Sequence, residues 1–251
     1  EKYVKHLYKK LQREGQLERD VDRLVRNDRI AWGASMIACK DADAMVTGNI
    51  RHYAASIEKL KKVTDPRPGE EIFGMTMITL KGKTILVADT NVQDFPSPER
   101  LVKVSKSCVR VARLFGFDPK VAFLSHSTFG KPISKNTKHV RDAIELLKNE
   151  KVDFDFDGEM QPDVALNPIY QEIYPFSKIV GNANILIMPA LHSAAISTKL
   201  MKVFGGGKLI GPLLIGLGSP IEVAPLRATT SEILNLASIA AYSSDVIDYS
   251  I

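Results

Sequence analysis

The stretch DFDFDGEMQPDVALNP, residues 153–168, brings Asp153, Asp155, Asp157, Glu159 and Asp163 close together, with Phe154 and Phe156 between the first three. Carboxylates at this density suit a divalent-cation site, an acid/base pair or a solvated sheet edge. In an extended chain successive side chains alternate faces, so Asp153, Asp155 and Asp157 share one face and the two phenylalanines the other. The spacing predicts a strand with one dry face. A row of carboxylates on such a strand most simply makes a hydrated edge, and a cation site is the competing reading.

Two further segments carry groups suited to an anion. VTGNIRHY sets Thr47, Gly48, Asn49, Arg51 and His52 after one apolar run, and LSHSTFGKP sets Ser125, His126, Ser127, Thr128, Gly130 and Lys131 after another. Glycine lets the backbone approach a phosphate, hydroxyl and amide groups donate to it, and Arg51 and Lys131 supply positive charge. Neither loop is a GxxxxGK[ST] or a strand-coupled GxGxxG, so nucleotide motifs of those kinds are absent. For each, an ordinary strand-to-helix turn is the alternative. Ser125, His126 and Asp157 invite comparison with a nucleophilic triad, but no G-x-S-x-G elbow occurs, and adjacency in sequence says nothing about geometry. His192 reads as a capping or surface histidine. The two cysteines, Cys39 and Cys108, stand apart among apolar neighbours, which predicts buried thiols rather than a disulfide framework or a zinc site.

The elements that must hold these groups follow from apolar spacing. At 251 residues, 45% hydrophobic and 25% charged, the chain can bury one large core or two modest ones. No apolar run approaches the ~18 residues of a membrane span, and the start EKYVKHLYKK is not signal-like; a cytoplasmic protein with no membrane partner is expected. The formal charge of +5 is scattered rather than blocked. Without aromatic-rich RNA-binding strands or zinc-finger spacing, it points to a small anion rather than nucleic acid. Over 1–29, Val4, Leu7, Leu11, Val21, Leu24 and Val25 recur at helical spacing with Gly15 between the two sets, predicting two amphipathic helices. A chain that opens on charged helices reads as a piece of a longer one.

From Ala44 the pattern changes to short runs, AMVTG, IFGMTMITL, TILVAD, KVAFLS, ANILIMPA and KLIGPLLIGL, separated by helical segments. One of these helices is framed by Ser97 as N-cap, Pro98 at its first position and Gly116 at its end. Alternation of this kind predicts an α/β protein with a mostly parallel sheet. Lys81, Gly82 and Lys83 join two runs as a hairpin and predict an antiparallel edge. TDPRPGEE, with Pro66, Pro68 and Gly69, is the best hinge between domains.

In order along the chain, DADAMVTG, VADTNVQDFPSPERL, LFGFDPKVAFLSHSTFG, FDFDGEMQPDVALNP, GNANILIMPALHSAAIS and IGPLLIGLGSPIEV resemble the phosphate acetyl/butyryltransferase family. The likeness runs through 30–245 and is strongest to the phosphotransacetylase-like C-terminal domain of large bacterial NADP-dependent malic enzymes. It implies a two-domain α/β/α fold of isocitrate/isopropylmalate dehydrogenase-like architecture, with a cleft between a first domain at 1–64 plus 210–251 and a second at 65–209. It also implies a homodimer as the basic unit, or a hexamer, and a malic enzyme domain preceding this one. Acetyl-CoA would be the ligand here, with NADP and Mg or Mn serving the malic domain. The acyl-CoA and phosphate site would draw on Thr47, Gly48, Asn49, Arg51, Ser127, Thr128, Lys131, Asp157, Glu159, Gln161, Pro189, His192, Gly211 and Pro212, with no metal in it.

The departures bear on activity. The resemblance implies a Ser-Arg-Gly shortly before the last helix and an Asp in its first turn, which assist attack of the CoA thiolate on acetyl phosphate. This chain reads APLRATTSEILN, with Pro225 and Leu226 at the Ser and Arg and Glu232 at the Asp. Proline has no donor and leucine cannot clamp a phosphate. Arg227 lies one position off. Glu232 has a structural role available, because Thr229 three residues before it makes a capping box. Ala195 also stands at an Asn of the usual pattern. These departures imply a domain that senses acetyl-CoA and assembles without catalysing. The runner-up is a working transferase using Arg227 and Glu232, and the third reading is an assembly domain alone.

Overall fold

In the computed structural model, which describes residues 1–133, 135–247 and 249, the elements run in chain order as α1 (Lys2–Leu11), α2 (Glu18–Asn27), α3 (Arg29–Ala38), β1 (Met45–Gly48), α4 (Tyr53–Val63), β2 (Phe73–Leu80), β3 (Lys83–Ala88), α5 (Pro98–Leu114), β4 (Lys120–Leu124), α6 (Lys138–Lys148), β5 (Asp155–Met160), α7 (Pro162–Leu166), β6 (Ile185–Ile187), α8 (Leu191–Gly205), β7 (Lys208–Ile215), β8 (Ile221–Ala224) and α9 (Thr230–Val246). They gather into two units, Glu1–Ile72 with Gly211–Ile251, and Phe73–Ile210.

In the first unit, Val4, Leu7, Leu11, Val21 and Val25 are buried as their spacing requires, and Leu24 packs beside them. Gly15, at φ +81°, turns the chain between the two helices. The third helix, α3, escapes a search for large apolar residues because much of its buried face is Ala31, Ala34 and Ser35. It starts at Asp28, whose carboxylate accepts the Ile30 and Ala31 N–H groups at 2.9 and 3.2 Å. The core closes over β1 and β8, which run parallel from Met45 opposite Ile221 to Gly48 opposite Ala224. Cys39 is only half-buried, unlike the enclosed Cys108; it caps the end of α3. The Pro66–Gly69 segment lies within this unit, where Pro66 pairs with Leu217 and the Arg67 N–H donates to the Gly216 carbonyl at 2.9 Å.

The second unit is built on the sheet ordered β5-β4-β6-β3-β2-β7. Strands β3, β6, β4 and β5 are parallel, and β2 pairs antiparallel with β3 from Leu80 opposite Lys83. The hairpin turns on Lys81 and Gly82, both at positive φ, as a tight two-residue connection demands. The hairpin supplies the expected antiparallel pair but is not the edge, because β7 lies outside β2, and β3 sits between β6 and β2. Leu86, Val87 and Ala88 are buried at 2% exposure or less, which an edge strand would not allow. α5 has the expected frame, with Ser97 Oγ accepting the Arg100 N–H and Gly116 at φ +79°. Among the described residues no helix is long and apolar enough to cross a membrane.

Candidate functional site

Parallel strands deliver their carboxyl ends to one side of a sheet, and the loops there are where ligands of open α/β sheets are held. In the second unit these are the segments after β3, β4, β5 and β6. The row of carboxylates divides. Asp153 is exposed and pairs with Arg113 at 3.0 Å, Asp155 is exposed, and Asp157 and Glu159 are buried. The hydrated edge therefore holds only at its start. Further along, burial of both faces overrides the alternation: β5 is outermost in the sheet, but its later residues are enclosed.

Glu159 organises the loop after β4. Its carboxylate accepts from Ser127 Oγ at 2.6 Å and from Arg141 Nη1 at 3.0 Å, and the same guanidinium nitrogen donates to Thr137 Oγ1 at 2.8 Å. The Glu159 carbonyl accepts the Phe129 N–H at 2.7 Å. Gln161 completes the seam, its N–H on Thr128 Oγ1 at 3.2 Å and its Nε2 on the His126 carbonyl at 2.6 Å. Thr128 and Lys131 exchange backbone bonds across a tight turn that leaves Lys131 exposed. Gly158 is required here, because at φ +148° a Cβ would come within 2.6 Å of the Phe123 carbonyl oxygen. Ser127, Thr128, Lys131, Glu159 and Gln161 are thus gathered. Asp157 serves the backbone instead, accepting the Gly158 and Lys178 N–H groups at 2.9 and 2.7 Å.

Sequence reading passed over three residues in this region. Asp89, directly after β3, accepts N–H groups from Gly74, Asn91, Val92 and Gln93 and lies 3.7 Å from Arg100. Burial still pushes its carboxyl above the usual range. The rule that pointed to the other strand ends covers Asp89 as well. His139 donates from Nε2 to the Pro189 carbonyl at 2.9 Å, which holds the turn into α8. Neither His139 nor Arg141, both on α6, carries a local signal, since their partners are 50 and 18 residues away. His192 packs its ring 5.6 Å from Phe95.

In the first unit, β1 and β8 end side by side. Gly48 has φ +104°, and a Cβ there would stand 2.3 Å from the Ala224 carbonyl oxygen, so only glycine fits. Asn49, at φ +66°, gives its N–H to Ala224, and its carbonyl accepts the Arg227 N–H at 3.2 Å. This brings Thr47, Gly48 and Asn49 beside Arg227, which is exposed and itself at φ +57°. Arg51 is turned to another task, pairing with Asp28 at 2.9 Å. Burial alone would raise the Asp28 carboxyl, but Arg51 and the α3 N–H groups outweigh it and hold it below the usual carboxylate range. Glu232 forms the capping box, its Oε2 accepting the Thr229 N–H at 2.8 Å while Thr229 Oγ1 accepts the Glu232 N–H. Gly211 and Pro212 lie on β7, joined by a cis peptide.

The model of the phosphate acetyl/butaryl transferase family matches residues 1–241. The chain belongs to that family. It is 46% identical over 241 residues to an NADP-dependent malic enzyme of Rhizobium meliloti (strain 1021), a match covering 96% of this chain and 32% of the relative. A phosphate acetyltransferase of Bacillus subtilis (strain 168) is 27% identical over 231 residues, covering 91% of this chain and 72% of that enzyme. A solved phosphotransacetylase from Streptococcus pyogenes superposes with a TM-score of 0.89 at 27% identity, covering 97% of this chain and 75% of that one. The chain spans about a third of the length of the malic enzymes it matches.

Proposed function

We propose that this phosphotransacetylase fold is the acetyl-CoA-sensing and oligomerising part of an NADP-dependent malic enzyme, and that it does not itself transfer acetyl groups. One observation carries the reading. Pro225 and Leu226 stand where the transferases of the family use serine and arginine, and Glu232, at the position of the assisting carboxylate, is engaged by Thr229 as a helix cap. Attack of a thiolate on acetyl phosphate needs cationic and hydrogen-bonding groups aimed at the developing charge, and proline and leucine supply neither.

The strand-end loops are retained, which supports a ligand. Ser127, Thr128, Lys131, Glu159 and Gln161 form a built polar shelf, and Gly48 and Asn49 keep a close backbone approach. Assembly is supported by α8, where Ile196, Leu200, Val203 and Phe204 are 59%, 51%, 74% and 85% exposed at one-face spacing. In this reading NADP and Mg or Mn act in the remaining length of the malic enzyme. Among the described residues no group of three or more His, Cys, Asp or Glu is arranged to hold a metal. The opposing reading, a working transferase, draws on Arg227 beside Asn49.

The test is a calorimetric titration of the chain with acetyl-CoA beside an acetyl-phosphate-dependent turnover assay. Binding with negligible turnover is expected, and a rate within tenfold of an ordinary transacetylase would overturn the reading. In the full-length enzyme acetyl-CoA should lower malate oxidation. An allosteric coupling of ~1–3 kcal/mol shifts apparent malate affinity by about five- to a hundred-and-fiftyfold.

A further inference from the structure

Among the described residues β1 and β8 make a sheet of two strands, and the two are enclosed to different degrees. Every residue of β8 is buried at 5% exposure or less, whereas every residue of β1 is half-buried. The face of β1 is covered: Met45 packs against the core of the first unit, and a Cβ on Gly33 of α3 would stand 2.9 Å from Met45 Cε. What is open is the edge. The Met45 N–H donates to the Pro220 carbonyl at 3.0 Å and the Asn49 N–H to the Ala224 carbonyl at 3.1 Å. Because successive peptide groups of a strand point to opposite sides, the odd-numbered residues of β1 bond to β8 and Val46 and Gly48 turn their N–H groups away from it. On that far side the Gly48 carbonyl is taken by the Ile50 N–H at 2.8 Å, but among the described residues no strand lies against Val46.

Parallel strands are ordinarily enclosed within larger sheets, and two strands alone are marginal in water. An unpaired row of N–H and C=O groups is a template for a further strand. This chain matches over 97% of its length but only 75% of the solved phosphotransacetylase, and over 91% but only 72% of the Bacillus enzyme. About a quarter of each of those enzymes therefore has no counterpart in these 251 residues. We propose that the free edge of β1 is filled, in the full-length protein, by a strand of the same polypeptide drawn from outside residues 1–251 and paired at Val46. The core of the first unit lies under Met45, so the incoming strand is apolar on that face. A second copy of this chain is the weaker occupant, because β1 offers four residues, far less contact than a stable dimer needs. Since β1 carries Thr47, Gly48 and Asn49 to its end, the strand that completes the sheet also steadies that loop. The inference stands on the sheet edge and the family match, independently of the acetyl-CoA reading.

The experiment is amide hydrogen exchange of the full-length protein, resolved to single residues over 44–49. Thr47, bonded to β8, is the internal reference. If a strand covers the edge, the Val46 and Gly48 amides should exchange within about tenfold of Thr47. An alternation in which Val46 and Gly48 exchange about a hundredfold or more faster than Thr47 would show a free edge and overturn the proposal. The occupant is read by placing a benzophenone side chain at Ile50, which is 73% exposed just beyond the strand, and mapping the photocrosslink in mixed oligomers of isotopically light and heavy protein. Protected amides with a crosslink to a peptide outside 1–251 of the same polypeptide are expected. Protected amides with a crosslink that joins light to heavy chains would make a second copy the occupant and overturn the proposal. Acetyl-CoA binding, measured separately by calorimetry, bears on neither outcome.

Discussion

Two buried glutamates, one in each unit, are treated in opposite ways. Glu159 on β5 has a fully buried carboxylate facing Arg141, with Ser127 Oγ donating to it as well. Glu222 on β8 is equally enclosed, but its carboxyl accepts one N–H, from Leu214 at 2.9 Å. Burial pushes the Glu222 carboxyl up to about 8, and the Leu214 N–H offsets this only in part. The second unit therefore gives its buried glutamate a guanidinium partner, and the first leaves its own without one, as a neutral acid near pH 7. The two strand-end regions thus take their shape from different sources. The loop after β4 is held by a charged network whose every member is spoken for, whereas the ends of β1 and β8 are held by close backbone packing at Gly48 and by helix caps.

The largest effect is expected from Arg141→Ala, which leaves Glu159 buried without its cation. Glu159 is fully buried and Arg141 a third exposed, so the loss should be about 3 kcal/mol, the low end for breaking a buried pair, to be read from the midpoint of chemical denaturation. A loss below 1 kcal/mol would mean that the network does not hold the loop.

A smaller effect should come from Glu222 through pH. Because the folded state binds this proton more tightly than the unfolded chain, its stabilisation is complete below the unfolded value of 4.5 and is lost as pH rises toward about 8. Each pH unit in that window corresponds to about 1.4 kcal/mol, so stability should fall by about 2–3 kcal/mol between pH 6 and pH 8. Glu222→Gln, which keeps the shape without the ionisation, should flatten this slope. Equal slopes for the two proteins would show that Glu222 is not the group responsible.

The smallest effect concerns Arg51. A polar loop after a strand suggests a phosphate contact for it, but the guanidinium is committed to Asp28. The pair is partly exposed, so Arg51→Ala should cost about 0.2–1 kcal/mol in thermal or chemical denaturation and change acetyl-CoA affinity less than threefold. A tenfold weaker titration at unchanged stability would return Arg51 to the ligand.

Much of the framework could be read from local chemistry. Ser97, Pro98 and Gly116 framed α5, Thr229 and Glu232 foretold the capping box, and Lys81 and Gly82 marked the hairpin. Each of these signals acts between residues a few positions apart, so backbone preference and side-chain chemistry were enough. The run of strands and helices and the family motifs belong to the sequence in the same way. Strand order was not available at that level, and the hairpin is enclosed rather than at the edge because the strands that flank it, β6 and β7, lie about a hundred residues or more further on. Nor could spacing pair Glu159 with Arg141, Asp28 with Arg51 or Pro189 with His139. Whether a carboxylate on β5 meets water, a cation or a backbone N–H depends on what the rest of the chain packs against it. Burial sets the cost of leaving a charge alone, and burial is a property of the folded neighbours, which no local pattern of Asp and Phe contains.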